Sequence, residues 1–126
     1  MRLTVGSFLL MAIILNGIVS PELRTIANKY DFMFRYPIPV FLTDQPGNSH
    51  GIKGCEQASG KAGGCTYWNK QTSLPYLVEV GNTNKNYFEK WFLHELGHFT
   101  LRTKDEKRAD KYADDMIKLV KGLRGE

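Results

Sequence analysis

The sequence has few of the residues that mark several large classes of protein. Its 126 residues suffice for one domain, and they contain no internal repeat and no low-complexity segment, which excludes repeat arrays. Only two cysteines are present, Cys55 and Cys65, and their spacing is too wide for the CxxC pair of a redox or zinc protein. A large excess of charge is also lacking, because the formal net charge is +4 and acidic residues are mixed among the C-terminal lysines and arginines. We therefore expect no nucleic-acid partner.

The two cysteines are compatible with either an oxidising compartment or the cytosol. Because they flank a glycine-rich stretch, Cys55 and Cys65 would close a flexible loop as a disulfide in an oxidising compartment. In the cytosol they would be two ordinary thiols. We favour the disulfide if the protein is exported.

The N-terminal segment is a long hydrophobic run. No charged residue occurs from Leu3 to Val19, a length at the lower limit for a helix that spans a bilayer. Three interpretations stay open: a membrane anchor, which we favour, a cleaved signal segment, and a helix of a soluble core. We expect residues 1–19 to be a hydrophobic membrane anchor or signal segment and residues 20–126 to be the folded domain. The protein would then be membrane-associated through residues 3–19, with a single pass, or secreted, and the side of the membrane is not determined.

The remaining residues predict a small α+β domain with an N-terminal helix, a short antiparallel sheet, a buried helix and a C-terminal helix. Helical periodicity, strand composition and turn residues define its elements. They are a helix that Ser20 caps and Pro21 begins, a strand at Ile38–Thr43, a hairpin over residues 65–80, and helices from about Lys85 to Leu101 and from about Lys104 to Leu123. The prolines at positions 37 and 39 indicate that the strand Ile38–Thr43 starts at a sheet edge.

A metal-binding motif lies on the first of the two long helices. His94 and His98 stand four residues apart, so on a helix their imidazoles lie one turn apart on the same face, where one zinc ion can bind both. Glu95 lies about 100° further round the helix, off the ligand face but within reach of a water on the metal. Gly97 leaves one side of the helix bare, which permits the close approach of another segment. The alternative is a pair of structural histidines on a buried helix, which burial makes costly.

The third ligand must come from elsewhere, because a catalytic zinc takes three protein ligands and keeps one open position. His50 is the only other histidine, but its glycine-rich surroundings favour an exposed loop residue. On the last helix, Glu106 falls at the edge of the apolar stripe and is the preferred ligand, with Asp110 as second choice. A capping box remains an alternative for Glu106, since Thr103 stands three residues before it.

These motifs carry a resemblance to a known family. The segment His94-Glu95-Leu96-Gly97-His98, followed by Glu106-x-x-Ala109-Asp110-x-x-Ala113, resembles the ImmA/IrrE-like metallopeptidases of the zincin group. In that family a helix carries HExxH, and a Glu on the following helix is the third zinc ligand. The resemblance therefore implies Glu106 in that role and a zincin-like fold for residues 20–126. This chain has Asp110 where the family has Asn and Tyr112 where it has Phe.

The motifs predict a zinc metallopeptidase that hydrolyses a protein or peptide substrate. The cofactor would be Zn²⁺, the metal ligands His94, His98 and Glu106, and the catalytic base Glu95. The rival hypothesis is a non-catalytic, zinc-stabilised and membrane-tethered interaction domain. The oligomeric state is not determined.

The sequence also suggests how a substrate is bound and which residues stabilise the oxyanion. The strand Tyr76–Val80 would bind an extended substrate by edge pairing. Tyr67, Tyr87 or Tyr112 would stabilise the oxyanion, and the sequence does not select among the three.

Overall fold

Three helices and four strands follow one another in residues 12–47 and 63–126, the part of the chain that the computed structural model describes. In chain order they are β1 (Ile13–Gly17), α1 (Pro21–Asn28), β2 (Ile38–Thr43), β3 (Gly64–Trp68), β4 (Pro75–Gly81), α2 (Lys85–Leu101) and α3 (Glu106–Arg124), with a short 3-10 helix at Asp31–Met33. The expected α+β class is confirmed, and so are the predicted elements that follow residue 20.

The helices begin at residues whose side chains cap them. Ser20 accepts a hydrogen bond from the Leu23 N–H, and Pro21 takes the first helical position, as the sequence predicts. Asn84 caps α2 in the same way by accepting from the Asn86 N–H. Because these caps satisfy amides that have no partner within the helix, they fix where each helix starts.

The four strands form one mixed sheet in the order β1-β2-β4-β3. β2 runs parallel to both β1 and β4, and only β3 is antiparallel, so the hairpin is confirmed but the expectation of an all-antiparallel sheet is wrong. β2 is not an edge strand either. The Ile38 N–H donates to the Ala12 carbonyl, so the nitrogen of Pro39 faces the other side, where pairing with β4 starts only at Val40. The proline therefore interrupts no ladder.

The hydrophobic N-terminal run contributes a strand to this sheet. β1 pairs in register with β2 from Ile13 opposite Ile38 onward, Ile13 is buried, and the Asp31 carboxylate accepts a hydrogen bond from the Ile13 N–H at 2.8 Å. The folded domain therefore begins before residue 20, contrary to the expected boundary. Residues 1–11 lie outside the described part of the chain, where an anchor or signal segment stays a prediction. In the described ranges, no helix combines the length and apolarity that a membrane crossing requires.

Helix α2 is the centre of the domain, with the sheet on one side and α3 on another. Four of its apolar side chains, those of Phe88, Phe92, Leu93 and Leu96, are fully buried. They belong to one core with residues of the sheet and of α3, among them Val40, Leu42, Val78, Val80 and Ala113. This confirms the central helix that the sequence predicts. A helix packed on two sides cannot rotate, so the side chains that it presents between β3 and α3 are held in place.

Cys65 on β3 is buried and disulfide-bonded. Cys55 lies outside the described residues, as does His50.

Candidate metal centre

The centre is built where α2 and α3 approach each other closely. His94 and His98 lie on the side of α2 that faces the first turn of α3, where Glu106 is the first helical residue. Gly97 permits this approach, because a Cβ atom at that position would lie 3.1 Å from the Cβ of Tyr112 and 3.2 Å from the Cα of Ala109. The bare helix side expected from the sequence therefore receives α3.

Three potential ligand atoms converge between the two helices. The Nε2 atoms of His94 and His98 are 3.1 Å apart, and Oε1 of Glu106 lies 3.2 Å from the first and 2.5 Å from the second. These three residues form a group whose ligand atoms all lie within 4.8 Å of one another. The structure thus brings together the three residues that the sequence proposes as metal ligands.

The other ring nitrogens of the two histidines have acceptors of their own. Nδ1 of His98 lies 2.8 Å from the Thr103 carbonyl oxygen, and Nδ1 of His94 lies 2.7 Å from Oδ1 of Asp110. If each imidazole is neutral, its one N–H proton sits on Nδ1. The Nε2 lone pair of each ring then points towards the Glu106 carboxylate. Three acceptors that converge repel one another unless they share a cation.

The separations fit a small divalent cation. Ligands at about 2.0–2.1 Å from a zinc ion, with tetrahedral angles, lie about 3.3 Å from one another. The separations among His94, His98 and Glu106 are 2.5 to 3.2 Å, so modest side-chain shifts would match them to a zinc ion. Two imidazoles and one carboxylate also form a donor set typical of catalytic zinc.

The capping alternative for Glu106 is not realised. Asp105 is the N-cap of α3, because its carboxylate accepts from the N–H groups of Lys107 and Arg108, and Thr103 lies outside the helix. The Glu106 carboxylate is therefore available to the histidines. Its side chain is 72% exposed, so Glu106, which the sequence places at the edge of the apolar stripe, lies outside the core. Asp110, the second choice as a metal ligand, is not one of the three converging residues. Its carboxylate contacts Nδ1 of His94 and not the side of the ring that carries Nε2.

Glu95 lies on the buried side of α2, against β3. It is 6% exposed, and its Oε1 accepts a hydrogen bond from the Thr66 hydroxyl at 2.7 Å. Burial raises the pKa of the Glu95 carboxyl above its ordinary value, while the Thr66 hydrogen bond and the two nearby imidazoles act in the opposite direction. Gly64 permits the close approach of β3, because a Cβ atom there would lie 2.5 Å from Cγ of Glu95.

A cavity of about 320 Å³ opens beside these groups, at the lower end of the range for ligand pockets. It is lined by Gly63, Gly64, Lys90, Trp91, His94, Glu95, Glu106 and Asp110. The Trp91 ring forms one wall and lies so close to the backbone that a Cβ atom at position 63 would be 2.3 Å from it. Lys90 at the rim forms an ion pair of 2.6 Å with Asp114.

The three tyrosines proposed for the oxyanion do not line this cavity. Tyr67 is fully buried and donates its hydroxyl hydrogen bond to Glu79. Tyr112 packs against Gly97. Tyr87 is largely exposed and stacks on Trp91, with ring centroids 5.9 Å apart, so it is the only one that contacts a wall of the cavity.

Two other contacts of the site are not predicted from the sequence. Thr66 lies far from Glu95 in the chain, and only the pairing of β3 beside α2 brings its hydroxyl to the carboxylate. Thr103 acts through a backbone carbonyl, which every residue type possesses, so no residue pattern could indicate it. Strand β4, proposed to pair with substrate, is interior, since Val78–Gly81 pairs with β2 and the same strand pairs with β3 on its other side.

Comparison of the chain with protein-family models, with curated proteins and with solved structures finds no match. The functional argument therefore depends on the geometry and chemistry of the site.

Proposed function

We propose that this chain is a zinc-dependent metallopeptidase of the zincin type. The observation that carries the proposal is the convergence of three acceptor atoms, from His94, His98 and Glu106, beside the buried carboxylate of Glu95 at an open cavity. A purely structural zinc site is closed by four protein ligands and has no use for a neighbouring carboxylate. Here the described residues supply three ligands and a carboxylate that faces the same cavity.

The chemistry divides between the metal and the protein. A bound zinc ion supplies a Lewis acid that polarises the substrate carbonyl and lowers the pKa of water. Glu95 accepts the proton of the attacking water, whose oxygen forms the new bond to the carbonyl carbon. The same carboxylic acid then gives that proton to the amide nitrogen as the C–N bond breaks, which leaves an amine and a carboxylic acid that loses its own proton to solvent.

The surrounding residues hold these groups in place. Thr66 fixes one oxygen of Glu95, and the Glu95 side chain lines the cavity. Asp110 and Thr103 fix the ring orientations of His94 and His98 through Nδ1. Acceptors of this kind keep Nε2 unprotonated and make the imidazole a better ligand.

The cavity indicates how a substrate would be held. Trp91 offers apolar contact to a substrate side chain at one wall of the cavity, while Lys90 and Asp114 place one charge of each sign at or near the rim. Because β4 is paired on both sides, a substrate would not bind by edge pairing with that strand.

Hydrolysis of peptides by the full-length chain tests the proposal. We expect the zinc-loaded protein to cleave members of a mixed fluorogenic peptide library, a chelator to stop cleavage and added zinc to restore it. Glu95→Gln is nearly isosteric and can still accept the Thr66 hydrogen bond, but it cannot take a proton, so it should lower the rate by about 100-fold or more. Glu22→Gln, an exposed carboxylate on α1, is the matched control and should leave the rate unchanged.

Two outcomes contradict the proposal. A Glu95→Gln protein that cleaves as fast as the wild type would remove Glu95 from the chemistry. A zinc-loaded wild type that cleaves nothing in the library would instead favour the non-catalytic, zinc-stabilised domain.

A further inference from the structure

A second cavity, of about 300 Å³, lies at the C-terminal end of α2. It shares no lining residue with the cavity at the metal centre. Its walls are mainly apolar and come from the segment between α1 and β2 and from the end of α2, with Met33, Phe34, Ile38 and Phe99 among them. Nothing in the proposed peptidase chemistry uses it.

Two arginines, Arg35 and Arg102, also line this second cavity. Within residues 12–47 and 63–126, neither guanidinium takes part in an ion pair or a side-chain hydrogen bond. Both side chains are exposed, as are other arginines that form no ion pair among the described residues, such as Arg24 and Arg108. What sets Arg35 and Arg102 apart is that both line the same mainly apolar cavity, so an anionic group bound there would meet two guanidiniums that have no partner among the described residues.

The backbone at Arg102 is a second, independent observation. Arg102 ends α2 in the left-handed region, with φ 52° and ψ 46°. Glycine is the residue that favours this region, because a side chain there brings Cβ close to the following carbonyl. Arg102 thus places a long charged side chain at a backbone conformation that glycine adopts more readily.

We propose that this second cavity binds a carboxylate carried on an apolar body, of the size of a medium-chain fatty acid or of the C-terminal residue of a peptide. The planar guanidinium forms paired hydrogen bonds with a carboxylate, which makes arginine the residue suited to this group. The apolar walls would take the attached chain or ring, as ligand pockets of this volume do. The site goes beyond the proposed peptidase activity and does not depend on it.

Calorimetric titration of the full-length chain tests the binding. The probes are octanoate and N-acetylphenylalanine, each beside a neutral counterpart, octanol and N-acetylphenylalaninamide. A chelator is present throughout, and the titration is repeated with His94→Ala, so that a carboxylate bound to metal is not counted. We expect at least one acid to bind tenfold or more tightly than its neutral counterpart, and the acid preferred identifies a fatty acid or a peptide end as the source.

Variants locate the binding. Arg102→Gly suits the left-handed backbone and should fold at least as well as the wild type, yet it should weaken binding of the preferred acid by tenfold or more. Arg35→Gln should weaken it as well, whereas Arg24→Gln, on the exposed side of α1, should not. The proposal is overturned if neither acid binds at millimolar concentration, if acid and neutral probes bind equally, or if Arg102→Gly and Arg35→Gln both bind like the wild type.

Discussion

Nδ1 of His94 lies 2.7 Å from Oδ1 of Asp110, one helical turn beyond Glu106 on α3. A single turn of α3 therefore holds both a candidate metal ligand and the acceptor that orients another ligand. The two carboxylates contact different nitrogens of the same ring, so their removal should have different consequences.

Glu106 and Asp110 can be separated by zinc affinity. Glu106→Gln removes the charge that faces the metal and should weaken zinc binding by at least tenfold, whereas Asp110→Asn keeps an acceptor for the His94 N–H and should be mild. Asp110→Ala removes that acceptor and should cost about 10–100-fold. Dissociation constants measured by chelator competition check the order. Asp105→Ala is the control, because it removes the cap of α3, with a loss of about 0.5–2 kcal/mol in unfolding free energy, and should spare zinc. Loss of zinc from Asp110→Asn with retention in Glu106→Gln would exchange the two roles.

The Thr66 hydroxyl should affect the rate of hydrolysis and not the affinity for zinc. Thr66→Val removes the hydrogen bond to Glu95 with little change in side-chain volume, and should lower kcat by about tenfold, the equivalent of one hydrogen bond. Zinc affinity should stay unchanged because the ligands lie on α2 and α3. Thr66→Ser, which keeps the hydroxyl, is the control and should recover most of the rate. Equal rates for the valine and serine variants would show that the hydrogen bond has no catalytic consequence.

The close approach of β3 to α2 makes Gly64 sensitive to a single methyl group. In Gly64→Ala the new Cβ would lie 2.5 Å from Cγ of Glu95 and 2.9 Å from the Glu79 carbonyl oxygen, so strand and carboxylate must separate. We expect a loss of about 1–3 kcal/mol in unfolding free energy and a fall in hydrolysis. Gly122→Ala is the matched control, since a Cβ there meets nothing within 4 Å, and it should stabilise α3 by about 0.5–1 kcal/mol. Denaturant unfolding of both variants measures the difference, and a Gly64→Ala protein as stable as the wild type would disprove the contact.

Strand β1 should be needed for stability. A chain that starts at Ala12 keeps the strand, while one that starts at Ser20 loses it and uncovers Ile38 and Val40 of β2, which are buried in the domain. Loss of the buried Ile13 side chain alone should cost about 1.5–3 kcal/mol. Thermal unfolding should show a Tm lower by about 10 °C or more for the shorter chain. Equal Tm values would mean that the sheet does not depend on β1.

Much of the fold follows from local signals in the sequence. The cap at Ser20, the hairpin of β3 and β4, and the extent of α2 are predicted because each depends on residues near one another in the chain. The HExxH spacing likewise fixes His94 and His98 on one face of a helix before any packing is known.

The remainder depends on contacts between distant residues. The strand β1 resembles a membrane segment in composition, because a buried strand and a spanning helix both lack charge, and only its pairing with β2 distinguishes them. The parallel order of β1, β2 and β4 has no local signature. The same is true of the hydrogen bond from Thr66 to Glu95.

The zinc content of the purified full-length chain tests the central claim most directly. We expect about one zinc per folded wild-type chain by elemental analysis, and none in His94→Ala. His50→Ala, which removes the only histidine outside the motif, is the matched control and should retain the full complement. A folded wild type without a bound transition metal, or a His94→Ala protein that holds as much zinc as the wild type, would contradict the account.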